Sequence, residues 1–167
     1  NALNPYFIDL DILVKEGYLL ESEIIDSTNN QKINYGKLYN ERYQVLRKAF
    51  KRFDFNNNQY LDFLENHKDW VYNYAEFMAI KKHFNDISLM YWPKEVRLRE
   101  ESALNELINE QKENIKFQLF LQFLAYKQYL NLKQYANNKG IQLIGDIPIY
   151  VSYDSSDVWT RPELFML

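Results

Sequence analysis

The stretch from Ser102 to Asn138 contains no Pro or Gly, and it limits the fold more than any other feature. Its apolar residues recur at steps of three and four, the spacing of one helix face: Leu104, Leu107, Ile108, Ile115, Leu119, Phe123, Tyr126 and Leu130. An unbroken helix of this length would reach on the order of 50 Å. A polar patch from Asn109 to Asn114 indicates a bend or a break. Phe117, Phe120 and Leu124 make the second half apolar on several faces, so we predict that this half is buried.

Three helical patterns precede this stretch. Asp9 stands where it can cap a first helix, which Gly17 ends. Periodic apolar residues from Leu38 to Phe53 predict a second, longer helix, and those from Trp70 to Phe84 predict a third that packs on the second. Residues 56–59 interrupt the pattern between them.

The only strand that the sequence predicts follows Gly140, which suits the left-handed position after a helix. Ile141, Leu143 and Ile144 form the near-continuous apolar run of a parallel strand with both faces covered. A lone strand leaves backbone N–H and C=O groups unpaired, at about 1 to 3 kcal/mol for each buried group. Partner strands must come from sequence outside these residues or from a second copy, or else the segment frays.

Composition excludes several classes of protein. The 167 residues are 47% hydrophobic and 17% aromatic, enough for one sizeable core. Twenty basic and 23 acidic residues give a net charge of -3, which argues against a nucleic-acid partner. No apolar run approaches the roughly 20 residues of a membrane helix, so we expect no membrane partner. Cysteine is absent, which excludes disulfides and thiolate metal sites and is compatible with the cytoplasm.

Residues 54–65 partly match a calcium-binding EF-hand. Oxygen-bearing side chains fall at loop positions one, three, five, nine and twelve: Asp54, Asn56, Asn58, Asp62 and Glu65. The sixth position, however, is Gln59 where the sharp turn calls for Gly. An Asn-rich turn between two helices is the favoured interpretation. His67 and His83 lack a partner at ligand spacing, so no metal site is predicted.

Four blocks of sequence, in one order, resemble the amylomaltases, the 4-α-glucanotransferases that disproportionate maltodextrins. The last is the most specific, since its Gly-Asp-Ile-Pro-Ile-Tyr-Val, Asp-Ser-Ser-Asp-Val-Trp and Pro-Glu-Leu-Phe runs all follow the family pattern. The blocks are Asn4 to Leu10, Tyr35 to Phe53, Tyr74 to Lys81 with Trp92-Pro93 and Phe120 to Phe123, and Asp146 to Phe165.

The resemblance implies a (β/α)8 barrel with helical insertions, of which this chain is a mainly α part. Residues 1–2 are interpreted as a tag remnant, with natural sequence from Leu3. Residues 3–139 then form the helical insertion region, and residues 140–167 form one barrel strand with the following loop and a short helix. In that helix we expect Asp154, Ser155 and Ser156 to provide the cap and Trp159 to anchor it. The rest of the barrel is expected outside this chain.

The implied activity is the transfer of α-1,4-glucan segments between maltodextrins, in the cytoplasm and without a cofactor. A retaining double displacement needs two carboxylates about 5 to 5.5 Å apart. In the family these carboxylates lie downstream of the segment that ends here at Leu167. We therefore expect no catalytic residue in this fragment, and we expect the isolated chain to be inactive.

Two residues are the candidate substrate-binding groups. The resemblance puts Asp146 at the end of the third barrel strand, where it would orient an Arg or a glucose hydroxyl; alternatively it caps the turn before Pro148. Tyr150 would offer a sugar-stacking ring with an O–H group, and core packing is an equal alternative.

Two other classes of function stay open at this point: a calcium-binding helical module at residues 54–65, and a non-catalytic helical interaction domain. Apolar surface exposed by truncation would promote self-association of this fragment.

Overall fold

A computed structural model describes residues 2–24, 34–146 and 149–166, and within these ranges the regular structure is helical. The α-helices are α1 (Leu10–Lys15), α2 (Tyr35–Arg52), α3 (Asn58–Asn66), α4 (Val71–His83), α5 (Lys94–Arg97), α6 (Glu101–Glu110), α7 (Lys112–Asn138) and α8 (Ser156–Thr160). Short 3-10 turns occupy Pro5–Phe7, Glu21–Glu23, Leu89–Tyr91 and Pro162–Leu164.

The three predicted early helices are confirmed as α1, α2 and α4. Asp9 caps α1, since its Oδ1 accepts a hydrogen bond from the Asp11 N–H at 2.9 Å. Gly17 follows α1 with φ +78°, a conformation that costs glycine little. The predicted packing of the third helix is wrong, because α4 packs chiefly along α7 and α8 rather than on α2.

The predicted long helix is broken at the polar patch. Gln111 separates α6 from α7, and its buried side chain lies 3.0 Å from His83 Nδ1 and accepts from Asn114 Nδ2 at 2.8 Å. Residues 117–125 of α7 are buried without a gap, so this part of the helix is enclosed on all sides, as predicted. The last turns of α7 are exposed apart from Ala136. No helix in the described ranges, α7 included, is long and apolar enough to cross a membrane.

The main core is an aromatic cluster between α2, α3 and α7. Phe50 of α2 and Phe53, the residue that ends this helix, lie edge-on or tilted to Phe120 of α7, with ring centroids 5.6 and 5.1 Å from that of Phe120. Tyr60 of α3 meets Phe123 in the same way, at 5.4 Å. Aromatic pairs at these distances and angles stabilise a core by about 0.5 to 1.5 kcal/mol beyond their buried area. The helices α2 and α3 are therefore fixed to α7 by ring packing.

A second apolar cluster joins α4 to α6, α8 and the turn before α5. Its centre consists of Phe77, Trp92 and Trp159, whose ring centroids lie 5.4 to 5.9 Å apart. Trp159 is only 1% exposed, so the predicted anchor of α8 is confirmed. Because α8 packs into this cluster, the C-terminal segment is attached to the helical body.

Two glutamines of α7 hold the N-terminal segment along the helix. Gln122 accepts from the Leu3 N–H at 2.8 Å and donates to the Leu3 carbonyl at 2.9 Å. Gln128 makes the same pair of bonds to Asp9, at 2.7 and 3.1 Å. Each side-chain amide thus satisfies both backbone groups of one residue, as a neighbouring strand would.

The predicted strand at Ile141–Ile144 is not formed. Residues 141–146 have no regular structure, and their side chains are exposed, Ile144 at 94%. The physical reason is the missing partner, since no other strand lies in the described residues and an isolated strand gains no ladder hydrogen bonds. The alternatives in which this segment pairs with strands outside these residues, or with a second copy, stay predictions.

Glu23 links the N-terminal segment to the end of α2. Its carboxylate accepts from Arg52 and from the Leu20 N–H, and these bonds lower the pKa of Glu23 to about 2 from the usual 4.5. Because the folded pKa is depressed, the stabilisation is complete above about pH 4.5 and is lost as the pH falls through about 2.

We therefore expect Glu23→Gln to lower the melting temperature at pH 6 and to have no effect near pH 2, as measured by circular dichroism. Glu21→Gln, in the same turn, is the control and should change little at any pH. A Glu23→Gln effect that stays constant between pH 6 and 2 would contradict this assignment.

The hydrogen bonds of Gln122 to Leu3 and of Gln128 to Asp9 should contribute differently to stability. Gln122 is 1% exposed, whereas Gln128 is half-buried and faces an exposed Asp9. Gln122→Leu leaves the partly buried N–H and C=O of Leu3 without their partner and should lower the free energy of unfolding by about 2 kcal/mol. Gln128→Leu should lower it by less than about 1 kcal/mol because water replaces the lost bonds. Urea denaturation measures both, and equal losses would contradict the account.

Candidate functional site

The structure places both predicted site residues on an exposed segment. Asp146 and Tyr150 make no side-chain hydrogen bond among the described residues, and Tyr150 is 89% exposed. Tyr150 is therefore not a core residue in this chain. The alternative in which Asp146 caps the turn before Pro148 stays a prediction, because residues 147–148 lie outside the described ranges. Both groups are available to a ligand.

The end of this segment is attached to α4 through Asp154. Its Oδ2 accepts from Lys81 Nζ, and its Oδ1 accepts from the Leu89 N–H at 3.0 Å. Both charged side chains are less than one-third exposed, so the ion pair is partly shielded from water. Sequence reasoning predicted Asp154 only as part of a helix cap and missed this pair, because Lys81 lies 73 positions away in the chain.

Ser155 and Trp159 behave as predicted for α8, whereas Ser156, predicted to share in the cap, is the first residue of the helix. Ser155 caps α8 by accepting from the Val158 N–H at 3.3 Å. Trp159 donates its indole N–H to the Val96 carbonyl at 3.0 Å inside the second apolar cluster. The chain therefore leaves the exposed segment and is immediately fixed at three points.

A cleft of about 610 Å³ lies between α4 and α8. Its wall includes two partly buried aromatic residues, Trp70 and Tyr74, with Asn73 between them on the chain. Val151, one residue after Tyr150, also lines it. Sequence reasoning missed the cleft because the aromatic residues of α4 follow the helical period of a core face. A sequence signal was available in the polar Asn73 between the two rings.

Tyr74 is the ionisable aromatic group of this cleft. Burial raises the pKa of Tyr74 to about 12, so its hydroxyl is neutral at physiological pH and can donate a hydrogen bond. No hydrogen bond to this hydroxyl occurs within the described part of the chain.

Glu76 of α4 is a partly buried carboxylate close to the guanidinium of Arg99. Burial raises the pKa of Glu76, while the nearby Arg99 partly opposes this rise. The two side chains lie 3.8 Å apart, and the Arg99 guanidinium sits 4.2 Å above the Trp159 ring. Glu76 thus belongs to a packed ion pair with Arg99.

The calcium-binding interpretation is not favoured. Helix α3 begins at Asn58, the fifth loop position, so Asp62 and Glu65 lie on a helix instead of closing around an ion. Asn57 caps this helix by accepting from the Gln59 N–H at 2.9 Å, as an Asn-rich turn would. Among residues 2–24, 34–146 and 149–166, no three His, Asp or Glu side chains are grouped to hold a metal ion.

A family model described as 4-alpha-glucanotransferase matches residues 1–167. This chain belongs to the 4-alpha-glucanotransferase family. Similar curated members are the 4-alpha-glucanotransferase of Clostridium butyricum, 43% identical over 99% of this chain, and that of Synechocystis sp., 37% identical over 99%. A plant 4-alpha-glucanotransferase of Solanum tuberosum, described as chloroplastic/amyloplastic, is 33% identical over 100% of the chain.

A solved member of the family has the same fold over this region. The amylomaltase from Streptococcus agalactiae in complex with acarbose aligns with 99% of this chain, with a TM-score of 0.91 and 42% identity. The alignment covers 35% of that amylomaltase, and the chain spans 35% and 34% of the Clostridium and Synechocystis relatives. It therefore corresponds to about one-third of a 4-alpha-glucanotransferase.

The contact at Asp154 yields a graded prediction. Asp154→Asn removes the ion pair but keeps an oxygen for the Leu89 N–H, so it should lower the free energy of unfolding by about 1 kcal/mol. Asp154→Ala removes both bonds and should lower it by about 2 to 3 kcal/mol. Asp157→Ala, an exposed acid of α8, is the control, with an effect within about 0.5 kcal/mol. Chemical denaturation measures the free energy of unfolding of each variant. Equal losses for Asp154→Asn and Asp154→Ala would contradict the assignment of two separate contacts to Asp154.

Proposed function

We propose that this chain is part of a 4-α-glucanotransferase that transfers α-1,4-glucan segments between maltodextrins. The observation that carries the proposal is the family match over all 167 residues, together with 37% and 43% identity to curated 4-alpha-glucanotransferases. The likeness to an amylomaltase in complex with acarbose supports an oligosaccharide as the ligand of the whole protein. The reaction is a retaining double displacement through two carboxylates, and both lie outside these 167 residues.

In the whole protein, Asp146 and Tyr150 are the substrate-binding groups. Asp146 orients a sugar hydroxyl or a neighbouring Arg, and Tyr150 supplies a ring face for a glucose unit together with a hydroxyl donor. Both residues are exposed and make no side-chain hydrogen bond among the described residues, which supports this assignment because their polar groups are free to bind a ligand. Asp146 directly follows the apolar residues Ile141, Leu143 and Ile144.

These apolar residues form a strand of the parent (β/α)8 barrel when the partner strands are present. In this chain the run is exposed although it is apolar, which supports an origin in a sheet that is covered elsewhere. Asp146 would then stand at the carboxyl end of a barrel strand, where barrel enzymes build their sites. The residues that remain exposed here would also drive self-association of the isolated chain.

The reaction requires no cofactor, since carboxylates alone supply the nucleophile and the proton donor. The net charge of -3 gives no attraction for a nucleic acid, and the substrate is a neutral glucan. We assign the whole protein to the cytoplasm, which fits a chain without cysteine. The relative from Solanum tuberosum, in contrast, is described as chloroplastic/amyloplastic.

Maltotriose as substrate tests whether the reacting carboxylates lie outside the 167-residue chain. The 167-residue chain should release no glucose above a buffer blank, because it lacks the reacting carboxylates. The full-length protein that contains it should convert maltotriose into glucose and longer dextrins. Turnover by the short chain, or none by the full-length protein, would contradict the proposal.

In the full-length protein, Asp146→Asn should lower kcat/KM for maltotriose by about 10- to 100-fold, the size expected for a lost hydrogen bond to a charged group. Asp11→Asn makes the same chemical change at an exposed residue of α1 and should leave kcat/KM within twofold. If Asp146→Asn behaves like this control, Asp146 does not contact the substrate.

A further inference from the structure

The cleft between α4 and α8 contains hydrogen-bonding groups that the protein leaves unused. The indole N–H groups of Trp92 and Trp159 donate to the carbonyls of Ile87 and Val96, at 3.2 and 3.0 Å. Within the described ranges, Trp70 is the one tryptophan whose indole N–H has no such partner, and it lines the cleft. Tyr74 and Asn73 line the same cleft, and their side chains make no hydrogen bond in the described residues.

We propose that this cleft binds a maltodextrin segment, as a contact region separate from Asp146 and Tyr150. The substrate class rests on the proposed function, whereas the location rests on the cleft itself. A glucose unit presents C–H groups on its faces and hydroxyls around its rim. Aromatic rings pack against the C–H faces, and indole N–H, phenol and amide groups form hydrogen bonds with the hydroxyls.

The charges of the cleft favour a neutral ligand over an anion. Asp69, Asp157 and Arg161 line it, and Asp154 is already paired with Lys81. Two carboxylates against one guanidinium leave no net positive charge for a phosphate or a carboxylate ligand. A neutral sugar can accept from Arg161 and donate to either Asp through its hydroxyls.

The size and position of the cleft support a glucan chain that continues from the candidate site. Its volume of about 610 Å³ falls within the 300 to 1,000 Å³ range of small-molecule sites. Val151 lines the cleft and follows Tyr150 directly in the chain. One glucan can thus contact Tyr150 with one part and the cleft with another.

The three tryptophans provide a test with internal controls. In the ¹⁵N-labelled 167-residue chain, each indole N–H gives one NMR signal, and Trp70→Phe identifies that of Trp70. Maltoheptaose should shift the Trp70 signal saturably, with a dissociation constant on the order of 1 mM for a shallow site. The Trp92 and Trp159 signals should stay in place, because their N–H groups are bonded inside the protein.

Variants separate this cleft from other surfaces. Tyr74→Phe should weaken maltoheptaose binding about fivefold, the loss expected for one hydrogen bond. Tyr135→Phe removes a hydroxyl from an exposed face of α7 and should change nothing. Tyr150→Ala should leave the maltoheptaose-induced shift of the Trp70 signal unchanged. Loss of that shift in Tyr150→Ala would show that the cleft and Tyr150 form a single binding region.

An unmoved Trp70 signal, an equal shift with inorganic phosphate, or insensitivity to Tyr74→Phe would overturn the inference. If the full-length protein fails to act on maltotriose while Trp70 still responds to maltoheptaose, the transferase proposal fails and the binding cleft stands. If the full-length protein is active and Trp70 is silent, the cleft alone is refuted.

Discussion

The burial of α7 is the constraint on which the rest of the structure depends. Residues 117–125 are enclosed on all sides, so every helix that packs against this stretch is positioned by it. Phe120 contacts the rings of Phe50 and Phe53, and Phe123 contacts those of Tyr60 and Phe63. Close packing makes such a centre intolerant of volume changes, and truncating one of these rings should therefore loosen several helices at once.

Around this centre, polar side chains specify where the less regular segments lie. Gln122 and Gln128 hold the N-terminal segment through its backbone, and Asp154 holds the chain before α8 through Lys81 and Leu89. These bonds are directional, whereas apolar contacts are not, so they determine position more than they determine total stability. Asp146 and Tyr150, both exposed, lie in the chain between the end of α7 and Asp154.

The helices were predictable because residues close together in the sequence determine where each one begins and ends. The site was harder to predict because it depends on residues that are far apart in the chain. The cap at Asp9, the glycine at Gly17 and the break near Gln111 are encoded within a few residues, and all three were predicted. The partner of α4 was predicted wrongly, because periodicity identifies an apolar face without identifying what covers it. The Lys81–Asp154 pair and the cleft at Trp70 join residues far apart in the chain, which spacing alone does not reveal.

The strand at residues 141–144 shows a different limit. Its apolar composition correctly indicates a segment that needs cover, but a strand forms only when another strand pairs with it. The apolar composition of residues 141–144 therefore indicates a segment that other parts of a protein cover. The structure shows the same segment unpaired when no other strand is present in the described residues.

Native-state hydrogen exchange tests most directly whether α7 is the centre of this chain and the Asp146 segment its open part. Amides of residues 117–125 should exchange only through global unfolding, and those of residues 141–146 should exchange at the rate of an unstructured peptide. Strong protection at residues 141–146, or α7 amides that exchange before those of α2 and α4, would contradict the account.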